Sequence, residues 1–214
     1  MPTNQREMEQ LLAFFTDKRR LTYKKGEAIV RAEDPPGGIF YIHDGFVKAY
    51  AITKYGEENL LIIRHKGDIF PLIWAFTDTH REIFYEAMDE VTVYRCSRDE
   101  LLDYLEKNPN CYKAMLDLAI EAYRVHAERV NTLEYRTVRE RIVSYLLYLA
   151  QHYGKPVATG TMLAIPIRRQ DIAASINATR ETTSRELNAL TKKGLIDQDA
   201  RIILRDIPKL ESFL

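Results

Sequence analysis

The stretch Arg168-Arg169-Gln170-Asp171-Ile172-Ala173-Ala174-Ser175-Ile176, then Asn177-Ala178, then Thr179-Arg180-Glu181-Thr182-Thr183-Ser184-Arg185-Glu186-Leu187-Asn188-Ala189-Leu190-Thr191-Lys192 is the most informative part of the chain. It reads as two short helices joined by a tight turn, the spacing of a helix-turn-helix. Ile172, Ala173 and Ile176 supply the packing face of the first helix, and the small Ala173 lets a second helix cross closely. On the second helix Thr183, Leu187 and Leu190 fall on one side, whereas Arg180, Glu181, Ser184, Arg185 and Asn188 fall on the other. That polar side suits base edges, because an arginine fork bonds guanine O6 and N7 together and a carboxylate accepts from cytosine N4. Thr179 and Thr182, with the backbone N–H groups of the helix start, suit phosphates. On an isolated helix the same charges would read as a solvated face with a Glu181–Arg185 pair. The preceding helix, the turn, Gly194-Leu195-Ile196 and a wing hairpin over Asp197–Leu204 favour a reader of double-stranded DNA instead.

Upstream of this motif, Thr137–Tyr153 is an amphipathic helix with Ile142, Val143, Leu146, Leu147 and Leu149 inward, ending at Gly154 and Pro156. Before it, no Gly or Pro interrupts Asn110 to Arg136, and Met115, Leu118, Ala119, Ala122, Val125, His126, Arg129, Val130 and Leu133 recur at three-and-four spacing. This predicts one long helix. Its small residues Ala119 and Ala122 would admit a partner helix, giving a homodimer seam, while the same stripe would also serve packing against the N-terminal half. Periodicity does not separate the two, and the seam is the expectation. Leu133–Thr137 is the expected hinge.

The N-terminal half opens with an amphipathic helix over Gln5–Phe15 and continues with short apolar runs at Ala28–Val30, Ile39–Ile42, Val47–Tyr50, Leu60–Ile63, Ile83–Ala87 and Val91–Cys96. Gly26, Gly37, Gly38, Gly45, Gly56 and Gly67 punctuate them, as in an antiparallel sandwich or roll. Ser97 with Glu100 forms a capping box for a helix that stops before Pro109. The expected fold is therefore α+β: a β-roll over 1–109, a dimerisation helix and hinge over 110–136, and a winged helix-turn-helix over 137–214.

Formal net charge is zero, yet residues 136–214 carry 13 Lys+Arg against 8 Asp+Glu, so the basic excess lies with the helix-turn-helix. No run is apolar or long enough to span a bilayer and no secretion signal opens the chain, so no membrane partner is expected. The two cysteines, Cys96 and Cys111, fit a reducing cytoplasm and inert buried thiols better than a disulfide framework or a zinc site.

Arg169-Gln170-Asp171-Ile172-Ala173, Thr179 to Leu187 and Lys193-Gly194-Leu195-Ile196 resemble the DNA-binding signature of the cyclic-AMP receptor and fumarate-nitrate regulator superfamily (CRP/FNR). With the glycine-punctuated roll and the long helix, the resemblance covers nearly the whole chain. It implies a bacterial transcription regulator in which Arg180, Glu181 and Arg185 read bases. Ser184, Thr179, Thr182, Arg169 and Gln170 would complete the interface. It also implies a palindromic operator with a TGA-like half-site. A surface touching RNA polymerase would be needed for activation, and no local pattern identifies one. Arg168 departs from the family, standing where many relatives have a Ser or Thr cap.

The resemblance also implies an effector pocket in the roll, around Arg81, Leu72, Trp74 and Phe84. Cyclic-nucleotide binders of the family carry a ribose-binding Glu after a Gly-Asp turn and an Arg-Ser or Arg-Thr pair for the phosphate. Here Gly67-Asp68 is followed by Leu72 where the Glu belongs, and Arg81 is followed by Glu82, whose charge opposes a phosphate. Cyclic AMP is therefore not the expected effector, though Arg81 leaves an anionic small molecule open. Phe70, Trp74, Phe76, Phe84 and Tyr85 read as core more readily than as a pocket. Two cysteines cannot supply the four thiolates that usually hold an iron-sulfur cluster, and His43, His65, His80, His126 and His152 are too scattered to point to haem. No His-x-His with a downstream carboxylate and His accompanies the roll, so an enzyme is not expected.

Overall fold

The computed structural model describes residues 5–79 and 82–214. Along the chain run α1 (Gln5–Thr16), β1 (Arg19–Tyr23), β2 (Ala28–Val30), β3 (Ile39–Asp44), β4 (Val47–Ile52), β5 (Glu58–Arg64), β6 (Ile69–Phe70), α2 (Leu72–Thr77), β7 (Phe84–Ala87), β8 (Val91–Cys96) and α3 (Arg98–Lys107). The strands form two four-stranded sheets, ordered β1-β8-β3-β6 and β2-β7-β4-β5. Strands β3 and β8 pair antiparallel with Tyr41 opposite Tyr94, and β4 and β7 do so with Ala49 opposite Tyr85. The roll read from the glycine spacing is thus the fold.

Between the sheets lie Val30, Phe40, Ile42, Val47, Ala49, Ile62, Phe70, Tyr85, Val91 and Val93. Alternate residues of the first sheet, Ile39, Tyr41, Ile69 and Cys96, face the other way into a second cluster with Leu11 and Phe15 of α1 and Leu101 and Leu105 of α3. Covered on both faces, β3 carries an unbroken apolar run rather than an alternating one. At Gly45, between β3 and β4, the backbone adopts φ +91°, and a Cβ there would meet the Glu90 carbonyl oxygen at 2.5 Å, so only glycine fits the turn.

The capping box on α3 forms as read: Ser97 Oγ accepts from the Glu100 N–H at 3.1 Å, and the Ser97 N–H donates to Glu100 Oε2 at 2.8 Å. Lys18 Nζ donates to the other carboxylate oxygen at 2.9 Å, and these bonds hold the Glu100 carboxyl down at about 2. Cys96 and Cys111 are free and buried, and burial pushes the Cys96 thiol up to about 12.

Helix α4 (Cys111–Glu134) matches the long uninterrupted segment. Its stripe requires a correction. Cys111, Ala114 and Met115 belong to the α1–α3 cluster with Leu118 against it, and Ala122 and Val125 pack on the inter-sheet core. Four of the nine positions read as the seam, Met115, Leu118, Ala122 and Val125, therefore pack on the roll, while Ala119, His126 and Val130 are exposed. A neighbouring row, Tyr112, Leu116, Ile120 and Tyr123, is exposed together with Val130 of the first stripe, Tyr123 by 75%.

The chain parts into two compact units within α4, between residues 125 and 126, with 57–59 grouping with the second. That second unit contains α5 (Val138–Tyr153), β9 (Gly154–Val157), β10 (Gly160–Leu163), α6 (Arg169–Ser175), α7 (Arg180–Lys192), β11 (Ile196–Asp197), β12 (Ile203–Leu204) and α8 (Ile207–Glu211). A sheet ordered β11-β12-β10-β9 flanks the helices. No helix among the described residues is long and apolar enough to cross a membrane.

Candidate nucleic-acid interface

Helix α6 begins without a hydroxyl cap. Asp171, 1% exposed, substitutes in part, since its Oδ2 accepts from the Arg168 backbone N–H at 2.8 Å and from Arg168 Nε at 3.2 Å. A carboxylate in the first turn of a helix also suits the positive end of the helix dipole. Ile172, Ala173 and Ile176 are buried, as their spacing required. The chain then turns at Asn177, whose φ of 51° lies in the left-handed region that Asn tolerates better than β-branched residues. The Ala178 N–H donates to the Ala173 carbonyl across this turn at 3.1 Å.

Thr179 caps α7, its Oγ1 accepting from the Thr182 N–H at 3.2 Å and donating to Thr182 Oγ1 at 3.0 Å. Thr183, Leu187 and Leu190 are buried. Arg180, Glu181, Arg185 and Asn188 are exposed on the opposite face and Ser184 is half-buried beside them. Two faces of one helix are thus sorted by their chemistry. The Glu181–Arg185 pair does not form: Arg185, with its side chain 72% exposed, has Nε 3.7 Å from Glu186 Oε1. Among the described residues neither Arg180 nor Glu181 has a side-chain hydrogen bond or ion pair.

Three contacts that hold α6 and α7 in place were not legible in the sequence. Arg139 Nε of α5 donates to Glu186 Oε2 at 2.8 Å, tying α7 to the helix behind it. Arg169 Nη2 of α6 donates to Asn188 Oδ1 at 3.0 Å, while Gln170 beside it is exposed. Arg129 Nε, in the last turns of α4, donates to the Ser175 carbonyl at 3.1 Å, at the end of α6. These partners lie 47, 19 and 46 residues apart, beyond the reach of any local pattern. The wing forms where expected: Ile196 pairs with Leu204, and Asp197 Oδ2 accepts from Arg205 Nη2 at 2.8 Å. The Arg205 bond, first among its causes, holds the Asp197 carboxyl below its usual range.

In the roll, Arg81 lies outside the described residues, as does His80. The other three expected pocket residues are not brought together. Helix α2, unread in the sequence, carries Leu72 and Trp74 into the cluster with Leu11 and Phe15, and the Trp74 carbonyl accepts from Arg98 Nε at 3.3 Å. Phe84 sits on the other sheet, stacked on Tyr50 at 5.2 Å. Phe70 and Tyr85 stack at 4.7 Å within the inter-sheet core, while Phe76 is exposed.

A model of the cyclic nucleotide-binding domain matches residues 20–108, and one of the Crp-like helix-turn-helix domain matches residues 140–213. The chain is similar to the Global nitrogen regulator of Nostoc sp., 27% identical over 177 residues, which cover 82% of this chain and 79% of that one. Against the Electron transport regulator A of Shewanella oneidensis it is 25% identical over 201 residues, 94% of this chain and 79% of the relative. With the Fumarate and nitrate reduction regulatory protein of Salmonella typhi it shares 24% over 193 residues, 90% and 76% of the two chains. In fold it matches a CooA mutant from Carboxydothermus hydrogenoformans with a TM-score of 0.78 at 24% identity, covering 94% of this chain and 89% of that one. FixK2 from Bradyrhizobium japonicum matches with 0.77 at 23% identity, covering 91% and 96%. With both domains matched in that order along one chain, and regulators throughout these relatives, the protein belongs to the CRP/FNR family of transcription regulators.

Proposed function

We propose that this regulator binds a palindromic operator as a homodimer, reading bases with Arg180, Glu181 and Arg185. The observation that carries this is the sorting of α7: its apolar side is sealed into the core while its polar side is turned outward. Arg180 and Arg185 suit guanine, Glu181 suits the cytosine of the opposite strand, and Ser184 completes the base-facing row. Thr179, Thr182 and Gln170 are assigned to phosphates, with Arg169 positioning Asn188 as well. The exposed stripe Tyr112, Leu116, Ile120, Tyr123 and Val130 recurs at intervals of three, four and seven, as a two-helix seam requires, and the occupant proposed for it is the same helix of a second copy. Two reading helices would then address successive major grooves about 34 Å apart.

The roll is read as the sensor of a small-molecule effector other than cyclic AMP, acting in the cytoplasm, and contact with RNA polymerase would follow DNA binding. Selection of bound sequences from random DNA tests the central reading. The expected product is an inverted repeat whose half-site carries guanine opposite Arg180 or Arg185; direct repeats, or no enrichment, would overturn it.

A further inference from the structure

Asn188 is held differently from its polar neighbours on α7. Arg180 and Glu181 make no side-chain hydrogen bond or ion pair among the described residues, whereas Asn188 is engaged at one end, its Oδ1 accepting from Arg169 Nη2 of α6 at 3.0 Å. A guanidinium only donates, so the atom that meets it is the amide oxygen, and the Nδ2–H2 group is carried to the side away from Arg169. Nδ2 has no hydrogen-bond partner among the described residues, and Asn188 is exposed. The backbone beneath it is fixed: Leu187 and Leu190 are buried, and Glu186 is tied to Arg139 of α5 at 2.8 Å. Asn188 thus offers uncharged N–H donors in one orientation from a supported position.

Spacing places those donors. From Glu181 the row continues three residues on at Ser184, four on at Arg185 and seven on at Asn188. Seven residues make nearly two whole turns, so Asn188 stands almost directly along the axis from Glu181. A recognition helix laid in the major groove reaches base edges through residues at this same spacing. The tether to Arg169 then decides which edge suits. An unrestrained asparagine bonds adenine twice, donating to N7 and accepting from N6–H2, but here Arg169 holds the oxygen and the outward group only donates. Guanine and thymine present carbonyl oxygens in the groove, O6 and O4, whereas adenine and cytosine present amino groups that oppose a donor. We infer that Asn188 is a further base-reading residue, positioned by Arg169 to select a keto base, guanine or thymine, at one more base pair of the half-site. The inference rests on the proposed reading of α7 as the base-facing helix.

The test is selection from random DNA followed by competition binding, run on the full-length protein and on Asn188→Ala, Arg169→Ala and Arg185→Ala. One position of the parent's half-site should prefer guanine or thymine over adenine and cytosine by about fivefold, the worth of a single hydrogen bond. Asn188→Ala should flatten that position and leave the others as they are. Arg169→Ala frees the amide oxygen, so the same position should turn to adenine, a change of base identity that a merely structural arginine would not produce. Three results overturn the proposal: no position responds to Asn188→Ala, as for a side chain left in solvent; Asn188→Ala weakens every sequence equally, as for a phosphate contact; or the preference at the responding position is the same in Arg169→Ala as in the parent. Arg185→Ala separates this failure from that of the wider reading. If it flattens a position of its own while Asn188→Ala flattens none, α7 still reads bases and only the role of Asn188 is lost; if neither flattens any position, the base-facing assignment of α7 falls and the proposal with it.

Discussion

Arg185 and Thr183 sit two positions apart on one helix and predict opposite experiments. Arg185→Ala and Glu181→Ala should each remove about 1–3 kcal/mol of discrimination at one base pair of the half-site, read as a flattened preference in competition binding. Thr183 faces inward, fully buried, and its Oγ1 has no hydrogen-bond partner. Thr183→Val keeps the shape and removes the unmet hydroxyl, so it should stabilise the protein by about 1 kcal/mol in a denaturant melt, with base preference unchanged. The division between these residues was legible from helical spacing alone. Arg139 and Glu186, which hold α7 in place, were not, because their pairing exists only once α5 and α7 have packed.

Among the helices, α4 divides its circumference between a side packed on the roll and an apolar side left in solvent. Sequence periodicity located one apolar stripe, but the helix has two adjacent ones, and a broad apolar arc obscures where packing on the roll ends. Tyr123→Glu, in the exposed stripe, should convert the protein to a monomer in sedimentation experiments. It should also weaken operator binding by on the order of 100-fold through loss of bivalency. The same change should leave the melting of the roll nearly untouched, since Tyr123 is mostly in solvent.

The α3 cap yields a pH prediction. Glu100 falls from its ordinary 4.5 to about 2 through its bonds to Lys18 and the Ser97 N–H. A lowered carboxyl contributes stability that is present above the ordinary value and lost as pH falls toward the folded one. Acid melts should therefore steepen between those values, and Glu100→Gln should lessen the slope. The strands that escaped the sequence did so for different reasons. β6 is two residues long, β1 is a largely exposed Arg19-Arg20-Leu21-Thr22-Tyr23, and β9 carries Pro156, which an outer strand tolerates but a strand pattern does not advertise.

Over the full chain, zero net charge conceals a basic second half, so association with DNA should still depend steeply on salt. If the dimer neutralises about 6–10 phosphates, affinity should fall by on the order of 10³–10⁵ between about 50 mM and 200 mM salt, measured by fluorescence anisotropy. A salt-independent affinity would contradict a phosphate-anchored complex. The succession of roll, long helix and helix-turn-helix was readable from glycine spacing, an uninterrupted apolar repeat and one motif. The lining of the roll was not, because α2 redirects Leu72 and Trp74 away from Phe84.

The two-sided construction of α7 matters for engineering. Structural support comes from Thr183, Leu187, Leu190 and the Arg139 anchor on Glu186, while the side chains of Arg180 and Glu181 make no hydrogen bond or ion pair among the described residues. On the proposed reading, target choice and foldability can therefore be mutated separately: rewriting positions 180, 181, 184 and 185 should change the operator selected while the scaffold beneath stays the same.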